Sequence, residues 1–179
     1  MKHCVEPFGP NMADLTIRRA SIVEGEGHRS FAVAKLTHRR IPEALPLIRA
    51  TWSNVDLETW RNFAKAFTRG SETSSGALAL IDASRALSGI LVYRVEPDLD
   101  GWLIFSVPLF SAVDMHNSSA AAGALLEAAI ARAHEIGCRR LHIRLRPEQA
   151  AMVRSIAALG MSNVAGVYGL ALGARAAPN

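Results

Sequence analysis

The segment from Phe105 to Leu145 constrains the fold of this chain more than any other part of the sequence. An apolar stretch is followed by small residues, by an alanine-rich stretch that ends at Gly137, and by a second apolar stretch. This order predicts a strand, a helix and a strand that returns parallel to the first. The first amides of such a helix point outward at its positive end, where they favour a phosphate group. We therefore expect a domain that binds a phosphate-bearing cofactor beside a sheet strand.

The size of the chain suits one compact domain, because half of its 179 residues are apolar. No apolar run approaches the roughly 20 residues that cross a bilayer, and the N-terminal residues lack the pattern of a secretory signal. The two cysteines, Cys4 and Cys138, do not have the spacing of metal ligands. We expect a cytoplasmic protein without a metal site and without a membrane partner.

The formal net charge of +4 comes from arginines that are scattered in pairs, with few aromatic residues among them. An excess of basic residues can favour binding to nucleic acid, to an anionic membrane or to an anionic cofactor. The scattered pattern is more typical of a solvated basic surface than of a nucleic-acid interface. We therefore expect no nucleic-acid partner.

The order of predicted elements defines the fold class. Residues 1–29 are interpreted as a loosely organised extension in which the segment LTIRRASIV can add a strand. Residues 30–179 are predicted to contain, in order, strand 30–36, helices 41–52 and 56–69, strands 77–81, 87–95 and 102–109, helix 120–136, strand 140–146, a helix from 147 to 160 and strand 164–172. In the last helix, Met152, Val153, Ile156 and Leu159 are expected to face inward. The fold class is α/β: a mixed, mostly antiparallel sheet with one parallel strand–helix–strand crossover and helices on both faces.

This order, together with a short motif after the third of the antiparallel strands, resembles the GNAT superfamily of acyl-CoA-dependent N-acyltransferases. In that family a valine at the end of a strand precedes a phosphate-binding loop with the pattern Gln/Arg-x-x-Gly-x-Gly/Ala. Val113 is in the valine position. The loop positions are filled by Ser118, Ser119, Ala120, Ala121, Ala122 and Gly123. Gly123 matches the pattern, whereas Ser118 replaces the Gln or Arg and Ala121 replaces the first glycine.

The resemblance implies that acetyl-CoA or another acyl-CoA is the co-substrate and that an amine attacks its thioester directly. Backbone amides of the loop would hold the pyrophosphate, and the strand end Phe110–Val113 would hold the pantetheine arm. The family's Tyr-x-x-x-Gly-Phe motif corresponds to the segment from Ile156 to Met161, so the usual tyrosine acid is absent. A thiol is a fair leaving group without an acid, and positioning supplies more of the rate than a general acid does. We expect a slower enzyme rather than an inactive one.

Three residues are candidates for catalysis. His116 precedes the loop and can take a proton from an ammonium near neutral pH. Ser111 ends the strand that should face the thioester, and Glu96 ends another strand and could act as a base through water. Each also has a plainer interpretation, as a surface histidine, a strand-end serine or a turn carboxylate. His142 and Arg144 are expected to share one face of the return strand, either toward cofactor phosphate or toward solvent.

The sequence therefore predicts an N-acyltransferase whose acceptor is an amine on a small molecule or a protein. The first alternative is a non-catalytic module of the same fold that binds CoA as a sensor or binds a protein partner. A basic protein associated with nucleic acid is the other alternative. Domains of this family often pair, so the resemblance is also compatible with a homodimer.

Overall fold

The computed structural model describes residues 18–20, 31–113, 118–146, 149, 152–153, 156–157 and 160–162. Within these residues, six strands form one sheet in the order β1-β2-β3-β4-β5-β6. The strands are β1 (Arg18–Ala20), β2 (Phe31–Lys35), β3 (Ser75–Ile81), β4 (Leu87–Pro97), β5 (Leu103–Ala112) and β6 (Arg140–Ile143). The α-helices are α1 (Leu45–Arg49), α2 (Leu57–Thr68) and α3 (Ser118–Ile136). Neighbouring strands from β1 to β5 are antiparallel, whereas β5 and β6 are parallel. The predicted mixed sheet with a parallel crossover is confirmed.

Two apolar clusters lie on the two faces of this sheet. Helix α3 covers one face, where Leu125 packs with Phe105 and Phe110, and all three side chains are fully buried. Helices α1 and α2 cover the other face, where Trp60 packs with Leu109. The alanines along α3 allow the helix to lie close to the strands, since a small side chain lets the backbones approach. The predicted helices on both faces are confirmed.

The predicted helix over residues 41–52 is wrong as a single element. The chain instead forms two 3-10 turns, His38–Arg40 and Pro42–Ala44, and then the five-residue helix α1. Pro42 and Pro46 have no N–H donors, so a continuous ladder of helical hydrogen bonds cannot form through this segment. The apolar spacing still predicted burial correctly, because Ile41 and Ile48 lie in the core.

Helix α2 begins as the sequence predicts. The Asp56 side chain accepts a hydrogen bond from the Thr59 N–H at 2.7 Å, which caps the first turn. Trp60 is buried, and its Nε1 donates a hydrogen bond to the Ile41 carbonyl at 2.6 Å. This bond connects α2 to the turns before α1, and both belong to the helical layer on the face of the sheet opposite α3.

The ends of the chain are described only in part. Strand β1 pairs with β2, so a strand lies within LTIRRASIV, while the rest of residues 1–29 and the predicted strand 164–172 lie outside the described residues. Met152 and Ile156 pack against the cluster beneath α3, as predicted, but Val153 is half exposed instead of inward. In the described part of the chain, no helix is long and apolar enough to cross a membrane, and no group of three metal-ligating side chains is found.

Candidate functional site

Strands β5 and β6 separate part of the way along β5. Their pairing ends with Val107 opposite Ile143, and the Arg144 N–H then donates to the Val107 carbonyl at 3.0 Å. No later pair joins the two strands among the described residues, although β5 continues to Ala112. Within the described residues, the edge of β5 beyond Val107 is therefore no longer paired with β6. We call this place the opening.

A bulge lies at the start of the opening. The pairing between β4 and β5 moves from Arg94–Ser106 to Val92–Leu109, which places Tyr93 opposite two residues of β5. Such a bulge bends the strand and changes which of its peptide groups face each neighbour. It therefore helps to separate β5 from β6.

Beyond the bulge, the direction of the peptide groups follows from the pairing with β4. The Val113 N–H donates to the Ser88 carbonyl on β4 at 2.8 Å. Because alternate residues of a strand direct their peptide groups to opposite sides, the peptide groups of Phe110 and Ala112 face the opening. The opening is therefore lined by backbone groups that can pair with an extended ligand.

A glutamine that the sequence analysis did not single out reaches the same edge. Gln149 is 5% exposed, and its Nε2 donates to the Phe110 carbonyl at 2.5 Å. Its Oε1 accepts a hydrogen bond from the Arg146 N–H at 3.1 Å. Since a buried amide requires partners, this carboxamide fixes the segment after β6 against the backbone of β5.

The residues predicted to form a phosphate-binding loop belong to the beginning of α3, which starts at Ser118. Ala121 stands where the family pattern has its first glycine. Because alanine has the highest helix propensity, this segment forms helical turns and not a glycine-rich loop. The side chains of Ala121 and Ala122 are fully buried. At Gly123 an added Cβ would meet no atom within 4 Å, so this part of the helix faces open space. Residues 114–117 lie outside the described residues.

The catalytic candidates are in different environments. Ser111 is 1% exposed, and its hydroxyl donates to the Leu47 carbonyl at 2.9 Å, so it connects the sheet to α1. Glu96 is exposed and pairs with Arg94 at 3.3 Å. It lies opposite Ile104, at the end of β5 that is remote from the first turn of α3. His116 lies outside the described residues.

Basic side chains line one side of β6 and of the residues that follow it. Leu141, Ile143 and Leu145 pack toward α3, whereas the alternating residues are exposed on the other side. The predicted shared face of His142 and Arg144 is confirmed. The alternating residues are Arg140, His142, Arg144 and Arg146. The Arg146 guanidinium lies over the Trp52 ring, 5.7 Å from its centroid, so this side is the one that α1 and α2 cover.

Comparison of the sequence with models of known protein families and with curated proteins gave no match. Solved structures of acetyltransferases, in contrast, are similar in fold. An aminoglycoside N-acetyltransferase in complex with CoA has a TM-score of 0.69 and 11% identity, over 84% of this chain and 100% of that one. A ribosomal-protein-alanine N-acetyltransferase from Brucella melitensis biovar Abortus has a TM-score of 0.64 and 15% identity, over 78% and 99%. Glucosamine-6-phosphate N-acetyltransferase from Arabidopsis thaliana has a TM-score of 0.61 and 9% identity, over 79% and 97%. The chain therefore has the GNAT fold that its element order predicts.

Proposed function

We propose that this protein is an acyl-CoA-dependent N-acyltransferase that transfers an acetyl or related acyl group to an amine. The observation that carries the proposal is the opening between β5 and β6, which lies beside the N-terminal end of the 19-residue helix α3. A strand edge next to the positive end of a helix suits a ligand with an extended amide arm and a phosphate end. Acyl-CoA combines these two features.

The pantetheine arm would lie along β5 in the opening. This arm contains two amides, and the peptide groups of Phe110 and Ala112 face the place where those amides would pair. The Phe110 carbonyl already accepts the Gln149 Nε2 donor, so the arm would pair with the Phe110 N–H and with the peptide group of Ala112. Val113, which follows the strand and is exposed, would lie next to the diphosphate end.

The diphosphate would bind the first amides of α3. In a helix that begins at Ser118, the N–H groups of residues 118–120 have no partner within the helix, whereas those of Ala122 and Gly123 bond to the preceding turn. Ser118, Ser119 and Ala120 would therefore supply the donors. Gly123 would leave room for the diphosphate, because it has no side chain. Because these donors belong to the backbone, the departures from the family's motif do not remove them.

The proposed reaction needs little acid–base chemistry from the protein. The lone pair of the amine nitrogen attacks the thioester carbonyl carbon, the C–S bond breaks, and the CoA thiolate takes up the proton that the nitrogen releases. Ile156, in the place of the family's tyrosine, packs against the cluster beneath α3 and cannot donate a proton. Holding two reactants together supplies about 7–11 kcal/mol, whereas a general acid supplies about 10²–10⁴ in rate. The reaction would therefore proceed slowly without the acid.

The test is turnover of acetyl-CoA with a panel of primary amines, followed by thiol release and by the mass of the acylated product. The proposal expects thiol release that depends on the amine and equals the amount of product formed. The absence of an acid at Ile156 also favours the non-catalytic alternative, in which CoA binds without turnover. Binding of CoA with no thiol release for any amine would support that alternative and contradict an enzyme.

A further inference from the structure

A row of basic side chains crosses the sheet beside the opening. Arg94 on β4 lies opposite Ser106 on β5, and Ser106 lies opposite His142 on β6. Paired residues direct their side chains to the same face of a sheet, so Arg94 and His142 share a face. Along the chain after His142, Arg144 and Arg146 follow on that face at steps of about 6.6 Å. We call Arg94, His142, Arg144 and Arg146 the basic row.

The basic row lies on the same side of the sheet as α1 and α2. The Arg94 guanidinium lies 5.3 Å from the centroid of the Phe67 ring, and Phe67 belongs to α2. The Arg146 guanidinium lies over Trp52, which packs against the same apolar cluster. The row is therefore on the side of the opening that faces away from α3.

Two carboxylates near the basic row are already paired. Glu96 binds Arg94 at 3.3 Å, and Asp98 binds Arg140 at 2.9 Å. In the part of the chain that the structure describes, no ion pair or hydrogen bond engages the side chain of Arg144. An exposed guanidinium with no carboxylate beside it can bind an anion from solution.

The sequence after α3 supplies little negative charge to neutralise the row. From Gly137 to Asn179 the chain contains six arginines and one histidine, and its only acidic residue is Glu148. The basic character of the row is a property of the whole C-terminal part of the sequence.

The position of the row connects it to the proposed reaction. The Arg144 N–H makes the last hydrogen bond before the opening, and the Arg146 N–H is held by Gln149 at its border. The Arg144 guanidinium at this border can bind a carboxylate or phosphate through paired N–H donors. An anion held there would lie next to the place where the thioester is proposed to sit.

We propose that the acceptor is an amine that also carries an anionic group, a carboxylate or a phosphate, and that Arg144 binds this group. This inference rests on the proposed function and specifies its acceptor class. The positive charge of the row also disfavours the ammonium form of a nearby amine. A larger share of the bound acceptor is then the neutral nucleophile that attacks the thioester.

The experiment compares amines that differ only in the anionic group: O-phosphoethanolamine against ethanolamine, and glycine against glycinamide. Thiol release from acetyl-CoA gives kcat/KM for each amine in the wild type, in Arg144→Gln and in Arg144→Lys. Arg61→Gln is the matched control, because Arg61 is an exposed arginine on α2 and the change in net charge is the same. CoA affinity is measured calorimetrically for every variant.

We expect at least one anionic amine to have a kcat/KM about tenfold or more above that of its neutral partner. Arg144→Gln should remove this preference, Arg144→Lys should restore part of it, and Arg61→Gln should leave it unchanged. CoA affinity should be the same in all variants. Equal use of both members of each pair, or an Arg144→Gln variant that keeps the preference, would overturn the inference.

Failure of the proposed function gives a different result. If no amine is acylated, calorimetric titration with O-phosphoethanolamine still tests the basic row, in the presence and absence of CoA. Binding that is lost in Arg144→Gln and kept in Arg61→Gln supports an anion site in a protein without turnover. No binding to the wild type overturns the site itself.

Discussion

The Gln149 side chain donates a hydrogen bond to the Phe110 carbonyl across the opening between β5 and β6. The two residues are 39 positions apart in the sequence. Gln149 also accepts a hydrogen bond from the Arg146 N–H. One buried carboxamide therefore connects the segment after β6 to the edge of β5 that β6 no longer pairs with.

Replacing Gln149 with leucine should lower the free energy of unfolding by about 1–3 kcal/mol, because the Phe110 carbonyl and the Arg146 N–H lose their partner in a buried place. Urea unfolding followed by circular dichroism measures the change. Val153→Ala is the control on the same segment, and it should change the free energy by less than about 0.5 kcal/mol since Val153 is half exposed. Equal stabilities of the wild type and Gln149→Leu would show that this hydrogen bond does not hold the strands.

Replacing Ser111 with alanine should affect folding and leave catalysis unchanged. The Ser111 hydroxyl is buried and donates to the Leu47 carbonyl, so its loss should cost about 1–2 kcal/mol of unfolding free energy. Thiol release per folded molecule should stay at the wild-type rate. A large fall in kcat at unchanged stability would instead make Ser111 a catalytic residue.

Two substitutions at Gly123 separate folding from binding. Gly123→Ala should raise the free energy of unfolding by about 1 kcal/mol, since alanine favours a helix and its Cβ meets no atom within 4 Å. Gly123→Phe should also fold, but its ring would occupy the space proposed for the diphosphate and should remove measurable CoA binding. Thermal unfolding measures the change in stability, and calorimetry measures the affinity for CoA. If the phenylalanine variant bound CoA as tightly as the alanine variant, the diphosphate would lie elsewhere.

The turn between β3 and β4 should make stability depend on acid pH. The Asp82 carboxylate accepts hydrogen bonds from the Ser84 N–H and hydroxyl and from the Ala86 N–H. These bonds, chiefly the one from the Ser84 hydroxyl, lower the pKa of Asp82. Because the folded pKa lies below the unfolded value of about 3.9, the stabilisation is complete above that pH and is lost as the pH falls through the folded value.

Asp82→Asn should therefore reduce the free energy of unfolding by about 1 kcal/mol near neutral pH. The difference from the wild type should shrink in solutions below about pH 4. Urea unfolding of both proteins at several pH values, from neutral to below about pH 4, measures this difference in the free energy of unfolding. A difference that stays constant with pH would mean that the charge of Asp82 is not responsible.

The order of the elements could be predicted because the apolar periods of the strands and of α2 and α3 are set by local sequence. The cap at Asp56 and the alternation along β6 are local signals of the same kind. The continuous helix predicted over residues 41–52 is wrong. The apolar spacing there indicates which side chains are buried, but Pro42 and Pro46 lack the N–H donors that a continuous helix needs.

The site was harder to predict than the fold. Helix α3 begins at Ser118, two residues before the predicted start at residue 120, so all six residues assigned to the phosphate-binding loop by the family pattern lie in the helix. The role of Gln149 depends on contact with Phe110, which no local pattern records. The burial of the Ser111 hydroxyl likewise depends on α1, which is distant in the sequence.

Calorimetric titration of the full chain with CoA shows whether the opening and the start of α3 bind an acyl-CoA. We expect one binding site per chain with an affinity in the micromolar range, and competition by acetyl-CoA at the same site. A protein that is folded by circular dichroism and yet takes up neither CoA nor acetyl-CoA would contradict the claim that the opening and the start of α3 form an acyl-CoA site.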